Sequence, residues 1–202
     1  MQRRRSDAAR LGAVTTARRL RAYSYEQYLR ALSDSHIKLE FFEGEIYAMA
    51  GGTPSHALLG AKIISLLQRA LPKGCSVFTS DLKVLIETAD LATFPDASMV
   101  CGPLATAPKD ANALTNPMLV VEVTSPSTEN YDRTEKVRSY QQLPSLSAIL
   151  IVSHRARRVT LLQRSEGGWE EIDFRGGETA VVAMPSVRFL VDELYEGVAL
   201  EA

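Results

Sequence analysis

The 202-residue sequence predicts an α/β fold in which a mixed β-sheet is flanked by helices, and three observations carry that prediction. Segments near 54–71 and 128–142 hold helix-start and helix-stop residues around helical sequence. Short runs of β-branched and apolar residues, bounded by turn residues, fill most of the remainder. The two kinds of segment alternate along the chain, which points to helices laid on the faces of a sheet.

Taken in order, Ser24 caps a short helix over 25–32, whose Tyr25, Tyr28, Leu29 and Leu32 share one face. Residues 37–42 and 45–49 read as two strands joined at Glu43-Gly44, an N-terminal hairpin. Gly51-Gly52-Thr53-Pro54 breaks the chain and opens a helix, with Thr53 as N-cap and Pro54 in the first turn. Leu58, Leu59, Ile63, Leu66, Leu67 and Ala70 form its buried stripe, and Pro72-Lys73-Gly74 ends it. Strands are expected over 77–79, 83–86, 97–101 and 118–123. Residues 103–116 are polar and contain Pro and Asn, so a loop is expected there. Ser127 or Thr128 caps a helix reaching about Gln142, closed by Leu143-Pro144. The apolar run 147–153 reads as a central strand. C-terminal antiparallel strands over 158–164 and 169–174 turn at Glu166-Gly167-Gly168, and a strand near Val187 leads into a short helix, 191–195.

Charge divides the chain unevenly. The first 21 residues hold seven of the 23 basic residues but only Asp7 of the 24 acidic ones, leaving 16 basic and 23 acidic in the rest. Residues 1–21 therefore read as a basic, disordered tail or a phosphate-touching arm, and 22–202 as a single domain. No segment approaches the roughly 20 apolar residues of a membrane helix, and no apolar core of a secretory signal follows the arginines. Cys75 and Cys101 lack metal-type spacing, so buried, reduced thiols in a cytoplasmic protein are expected.

Two carboxylates stand inside apolar β-type sequence. Asp96 follows Phe94-Pro95 and opens Ala97-Ser98-Met99-Val100; Glu122 lies between Val121 and Val123. A carboxylate facing a core without a partner is heavily penalised, so Glu122 calls for a cation. Lys136 follows on the next helix, and two carboxylates with a nearby lysine suit a shared polyvalent cation beside developing negative charge. Bland readings stand beside this one. Asp96 at a strand end can bond to backbone, Lys136 can pair with Asp132 at i,i+4 on a solvated face, and Asp132 can be a helix-start charge. Glu40 is a third metal carboxylate or a pairing partner in the N-terminal hairpin, and His56 a packed or surface imidazole. No His/Cys cluster points to zinc.

The local wording resembles the Uma2 family of restriction-endonuclease-like proteins, within the PD-(D/E)xK nuclease superfamily. The matching words are Phe94-Pro95-Asp96, Val100-Cys101-Gly102, Asn116-Pro117, Glu122-Val123-Thr124-Ser125-Pro126-Ser127-Thr128, Tyr131-Asp132-Arg133, Glu135-Lys136 and Tyr140. Leu39-Glu40, Glu43-Gly44, His56, Pro144-Ser145-Leu146 and Leu194-Tyr195-Glu196 also fit, so the resemblance spans about residues 24–198. It implies a restriction-endonuclease-like fold and metal-dependent hydrolysis of a phosphodiester in DNA. Asp96, Glu122 and the Val123 carbonyl would hold Mg²⁺ or Mn²⁺, Lys136 would assist attack, and Glu40 would complete the acidic cluster, with His56 and Asp132 as secondary candidates. Thr124 departs from the superfamily, standing where its usual lysine would be; the resemblance moves that role to Lys136. It further implies DNA as partner, a homodimer and no organic cofactor. Two other readings stay open: a non-catalytic nucleic-acid-binding module on the same fold, and a nuclease for branched or mobile-element DNA.

Overall fold

The computed structural model describes residues 22–49 and 51–201. The expected basic tail, residues 1–21, lies outside the described residues. Helix α1, Tyr25–Asp34, starts at a reciprocal cap: Ser24 Oγ accepts from the Gln27 N–H while the Gln27 side chain accepts from the Ser24 N–H. Strands β1 (Leu39–Phe42) and β2 (Glu45–Ala48) form the hairpin expected at Glu43-Gly44. Both turn residues have positive φ, 47° and 78°, the twist that a two-residue hairpin turn requires. Helix α2 (Pro54–Arg69) begins where Thr53 Oγ1 accepts from the His56 N–H, which fixes His56 in its first turn.

The next strands are β3 (Cys75–Thr79), β4 (Lys83–Ile86), β5 (Leu91–Thr93) and β6 (Ala97–Cys101), followed by β7 (Thr106–Ala107), β8 (Asp110–Leu114) and β9 (Leu119–Val123). A continuous helical segment then runs as α3 (Glu129–Tyr131), a π turn (Asp132–Lys136) and α4 (Val137–Tyr140). Strands β10 (Ala148–Val152), β11 (Arg158–Ser165), β12 (Gly168–Arg175), β13 (Thr179–Val182) and β14 (Val187–Leu190) lead to α5 (Val191–Tyr195).

The strands assemble as β2-β1-β5-β4-β8-β7, as β12-β11-β10-β9-β6-β3, and as the pair β13-β14. Within the second sheet, β9 and β10 run parallel and their other neighbours antiparallel, so the sheet is mixed as expected. Both strands are buried along their whole length, and the 147–153 run does lie in the sheet interior. One face of this sheet packs Met99, Leu119, Val121 and Leu150 with Leu59, Ile63 and Leu67 of α2 and with Val191 and Leu194 of α5. Its other face shares a core with the first sheet and the broken helix, through Val100, Val120, Ile149 and Ile151 with Val84, Ile86, Leu91, Val137 and Tyr140. Helix α1 covers the far side of the first sheet with Tyr28 against Phe41, Leu85 and Ala92.

Four expectations need correction. Residues 103–116 are not wholly loop but contain β7 and β8; β8 lies parallel to β4, and buried Lys83 holds Asp110 at 2.6 Å. Pairing to a neighbour thus overrides a composition poor in β-formers. Strands β5 and β13 were not expected, each being too short to show a period. Thr128 precedes α3 without a side-chain cap bond, and a π turn interrupts the expected single α-helix. Cys75 and Cys101 are not free thiols. They face each other across β3 and β6, with Cα atoms 3.9 Å apart, and form a disulfide. That pairing removes the argument from reduced thiols to a cytoplasmic setting. Among the described residues, no helix is long and apolar enough to cross a membrane.

Candidate active site

The site lies where the chain crosses from one six-stranded sheet to the other. Phe94-Pro95-Asp96 joins β5 of the first sheet to β6 of the second. Proline suits this crossing because it has no N–H for either ladder and keeps the preceding residue extended. The β6–β9 register pairs Ala97 with Val121, so one step further sets Asp96 against Glu122. Directly opposed residues share a sheet face, and here it is the face turned toward the broken helix. Asp96 Oδ2 accepts from the Val123 N–H at 2.7 Å. The β1–β5 register likewise sets Glu40 against Thr93, whose hydroxyl donates to Glu40 Oε1.

The helical segment contributes a stripe at intervals of four. Asp132, Lys136 and Tyr140 all turn inward, with the π turn spanning the first two; such turns are frequent at functional sites. Lys136 Nζ lies 3.2 Å from Glu40 Oε1, 3.3 Å from Asp132 Oδ1 and 3.4 Å from Glu122 Oε1. Tyr140 donates to Glu122 Oε1 at 2.5 Å, and Thr128 to Asp132 Oδ2 at 2.6 Å. His56 Nε2 is 3.0 Å from the Val123 carbonyl and 3.7 Å from Asp96 Oδ2. A carbonyl only accepts, so Nε2 carries the hydrogen in this contact, and through it His56 buttresses Asp96 and Val123.

Lys136 is 5% exposed, Glu122 3%, Asp132 2% and Glu40 7%. Burial alone would drive the Lys136 proton off, but Glu122, Glu40 and Asp132 together outweigh it and hold the amine well above its ordinary value. Lys136 is therefore a fixed cation and not a proton acceptor near neutrality. Burial pushes the Glu122 carboxyl well up, Lys136 and the Tyr140 hydroxyl oppose this, and Asp132 and Asp96 reinforce it. Asp96 is also raised, by burial first, against the pull of His56 and the Val123 N–H. Three carboxylates thus touch one ammonium, with Asp96 beside them, and Glu122 and Asp96 resist ionising. Among the described residues, the cluster is short of positive charge.

A divalent ion would make good that shortage. Among the described residues, no three His, Cys, Asp or Glu side chains form a ready cage for a metal. Mg²⁺ is held by one or two carboxylates with several waters and substrate oxygens, not by an all-protein cage, so the paired Asp96 and Glu122 fit that ion. Both open into a cavity of about 860 Å³ with room for water and a ligand.

Every residue singled out in the sequence lies here: Asp96, Glu122, Lys136, Glu40, Val123, His56 and Asp132 all line one cavity. The solvated alternative for Lys136 and Asp132 is overturned. Their i,i+4 pair exists, but it is buried and shared with Glu40 and Glu122. Glu40 lies opposite Tyr47 in the hairpin yet pairs across to the helix. The Thr124 hydroxyl is taken up by the Val152 carbonyl and the His154 ring, and among the described residues Lys136 is the one ammonium paired with Glu40, Glu122 and Asp132. The bonds from Thr93, Tyr140 and Thr128 to the carboxylates were not expected. Tyr140 follows Lys136 by four and Thr128 precedes Asp132 by four, a spacing that was available as a signal.

Two mixed sheets sharing a core with a lysine-bearing helix, and carboxylates at the crossing between them, define a restriction-endonuclease-like architecture. The same fold is found in the crystal structure of "a putative nuclease belonging to DUF820" from Anabaena variabilis ATCC 29413. The match has a TM-score of 0.70 and 16% identity, and covers 86% of this chain and 98% of that one. The chain belongs to the Uma2 family, described as "Putative restriction endonuclease", which it matches over residues 25–191. Its relatives include two uncharacterized Synechocystis sp. proteins. Protein slr1290 is 35% identical over 178 residues, covering 87% of this chain and 93% of the relative. Protein sll1609 is 27% identical over 139 residues, covering 68% and 78%.

Proposed function

We propose that this protein is a metal-dependent endonuclease that hydrolyses phosphodiester bonds in DNA, with residues 22–202 acting as one catalytic unit. The observation that carries the reading is the buried Lys136 ammonium set among Glu40, Glu122 and Asp132, next to Asp96, at the base of an open cavity. A binding module gains nothing from anions facing phosphate. A hydrolase gains a place for a cation and a charge at the reacting centre.

Asp96, Glu122 and the Val123 carbonyl would hold Mg²⁺ or Mn²⁺. When bound, that ion polarises a phosphoryl oxygen and lowers the pKa of a coordinated water. The chain's own residues do the rest. The Val123 N–H and His56 aim Asp96, and Tyr140 aims Glu122. Lys136, held protonated, supplies fixed positive charge against the charge that builds on the phosphoryl group. Glu40 and Asp132 keep that ammonium in place. A second copy of the chain would let two such sites cut two strands, and a homodimer is part of the proposal.

The test is incubation of the purified protein with supercoiled plasmid, single-stranded DNA and branched DNA, with Mg²⁺, with Mn²⁺ and with chelator. Cleavage of at least one substrate is expected, dependent on the cation and lost in Glu122→Gln. If a folded protein that binds the cation cuts none of them, the hydrolytic reading is wrong.

A further inference from the structure

We propose that the substrate is an unpaired nucleotide, in a single strand or extruded from a duplex, whose base enters the cavity and stacks on Tyr131 and Tyr47. This rests on the nuclease reading and adds to it a substrate class.

Besides the acidic cluster, the cavity of about 860 Å³ is lined by four aromatic residues, Phe42, Tyr47, Phe94 and Tyr131. They come from separate places: the β1–β2 hairpin, the sheet crossing and the start of the broken helix. Burial orders them. Glu40, Glu122, Asp132 and Lys136 are almost wholly buried and form the floor. Phe42 and Tyr131 are half-buried walls, in edge contact at 6.3 Å between ring centres. Tyr47, 43% exposed, stands at the rim. Lys136 Nζ lies 5.6 Å from the centre of the Tyr131 ring, so one wall runs directly from aromatic surface to the reacting centre.

Among the described residues, the charges of the cavity disfavour a duplex gripped by its backbone. Glu40, Asp96, Glu122, Asp132 and Glu135 line the cavity, against Lys136 and His56. Lys136 is already shared among three carboxylates. Duplex binders neutralise a run of phosphates with Lys and Arg, and the described residues of this cavity offer no such run. It offers flat apolar rings, which suit a neutral base, beside a carboxylate pair, which suits a single cation-bound phosphate. Ser127 at the exposed edge is an uncharged hydroxyl able to donate to a flanking phosphate, whereas the Thr128 hydroxyl is given to Asp132. Unpaired bases are recognised by stacking on aromatic side chains, and enzymes that act on buried nucleotides take them out of the stack.

The experiment uses Glu122→Gln protein with Mg²⁺ and three probes carrying one 2-aminopurine: a single strand, a blunt duplex, and a duplex with the 2-aminopurine as a one-nucleotide bulge. Quenching and tighter binding are expected for the single strand and the bulge, by tenfold or more over the blunt duplex. Adding Tyr131→Ala should abolish the quench and weaken binding about five- to 150-fold, the range for one lost stacked base. Tyr131→Phe should retain both, and Tyr47→Ala, at the rim, should weaken binding without touching the core. Equal binding of blunt duplex and single strand overturns the proposal, as does unchanged binding in both alanine variants. Cation-dependent cleavage of the blunt duplex by the wild-type protein, without any quench in Glu122→Gln, also overturns it while leaving the nuclease reading intact. A quench that disappears with Tyr131→Ala, where the wild-type protein cuts none of the probes with either cation, supports the stacking site and sinks hydrolysis alone.

Discussion

Replacing Lys136 with Met tests whether the buried charge cluster is arranged as described. Methionine keeps the length and apolar stem of the side chain and removes the ammonium. Three carboxylates at 3.2–3.4 Å would lose their shared cation, each with a side chain less than a tenth exposed. Removing one partner of a buried ion pair costs about 3–5 kcal/mol, because the other charge is left unpaired. Glu122 and its neighbours can recover part of this by taking up protons, so the lower end of the range is expected. For a chain of this size each kcal/mol moves the melting temperature by about 2–4 °C, giving a fall of roughly 6–12 °C. The assay is calorimetry at neutral pH with chelator, so that a bound cation cannot stand in for the lysine. Adding Glu122→Gln to Lys136→Met should restore several degrees, since it removes one of the stranded charges; a double-mutant cycle isolates that coupling. If Lys136→Met melts within about 2 °C of wild type, the ammonium is not what balances these carboxylates. Any loss of cleavage in Lys136→Met must then be measured well below its own melting temperature.

The pair Lys83–Asp110 sets an acid limb far from the site. Burial pushes Asp110 up, but the Lys83 ammonium at 2.6 Å and the Tyr25 hydroxyl outweigh it and leave the carboxyl below its ordinary value. A lowered carboxylate stabilises the fold above its unfolded pKa, near 3.9, and loses that contribution as pH falls below it; Asp110→Asn should therefore flatten the stability profile between about pH 5 and 2, and an unchanged profile would refute the assignment. The Cys75–Cys101 bond closes a separation of 26 residues, for which the loop-entropy relation gives about 3.5 kcal/mol. Cys75→Ser with Cys101→Ser should melt lower than the oxidised protein, and reductant should lower the wild type to match; no difference between the two would show that the thiols are not paired in solution.

The sequence made the site legible and left much of the scaffold hidden. Asp96 and Glu122 announced themselves because a carboxylate among valines is hard to explain without a partner, and the register places them opposite each other. Elements with local signals were readable: the Ser24 cap, the Glu43-Gly44 turn, and the Thr53-Pro54 helix start. Strands β5, β7 and β13 were not, having only two to four residues each. Their existence depends on a neighbour supplying hydrogen bonds, and no local pattern encodes a neighbour. The division into two sheets was hidden for the same reason, since strand order is a matter of long-range pairing. The disulfide required knowing that residues 26 apart fall opposite each other across β3 and β6.

The position of the lysine follows from that hidden division. Glu40 comes from the first sheet, Glu122 from the second, and the helical segment packs into the core that both share. A side chain launched from this helix can reach carboxylates on both sheets at once, and Lys136 does so, touching Glu40 and Glu122 as well as Asp132. Position 124, just past the end of β9, belongs to one sheet only, and its hydroxyl is spent on Val152 and His154. The Lys136 ammonium thus joins the sheets electrostatically at the point where Phe94-Pro95-Asp96 joins them covalently. It also makes the geometry of the site depend on the packing of that helix. Substitutions at Val137 or Tyr140, which anchor the helix in the shared core, should disturb the carboxylates as strongly as changes in the carboxylates themselves.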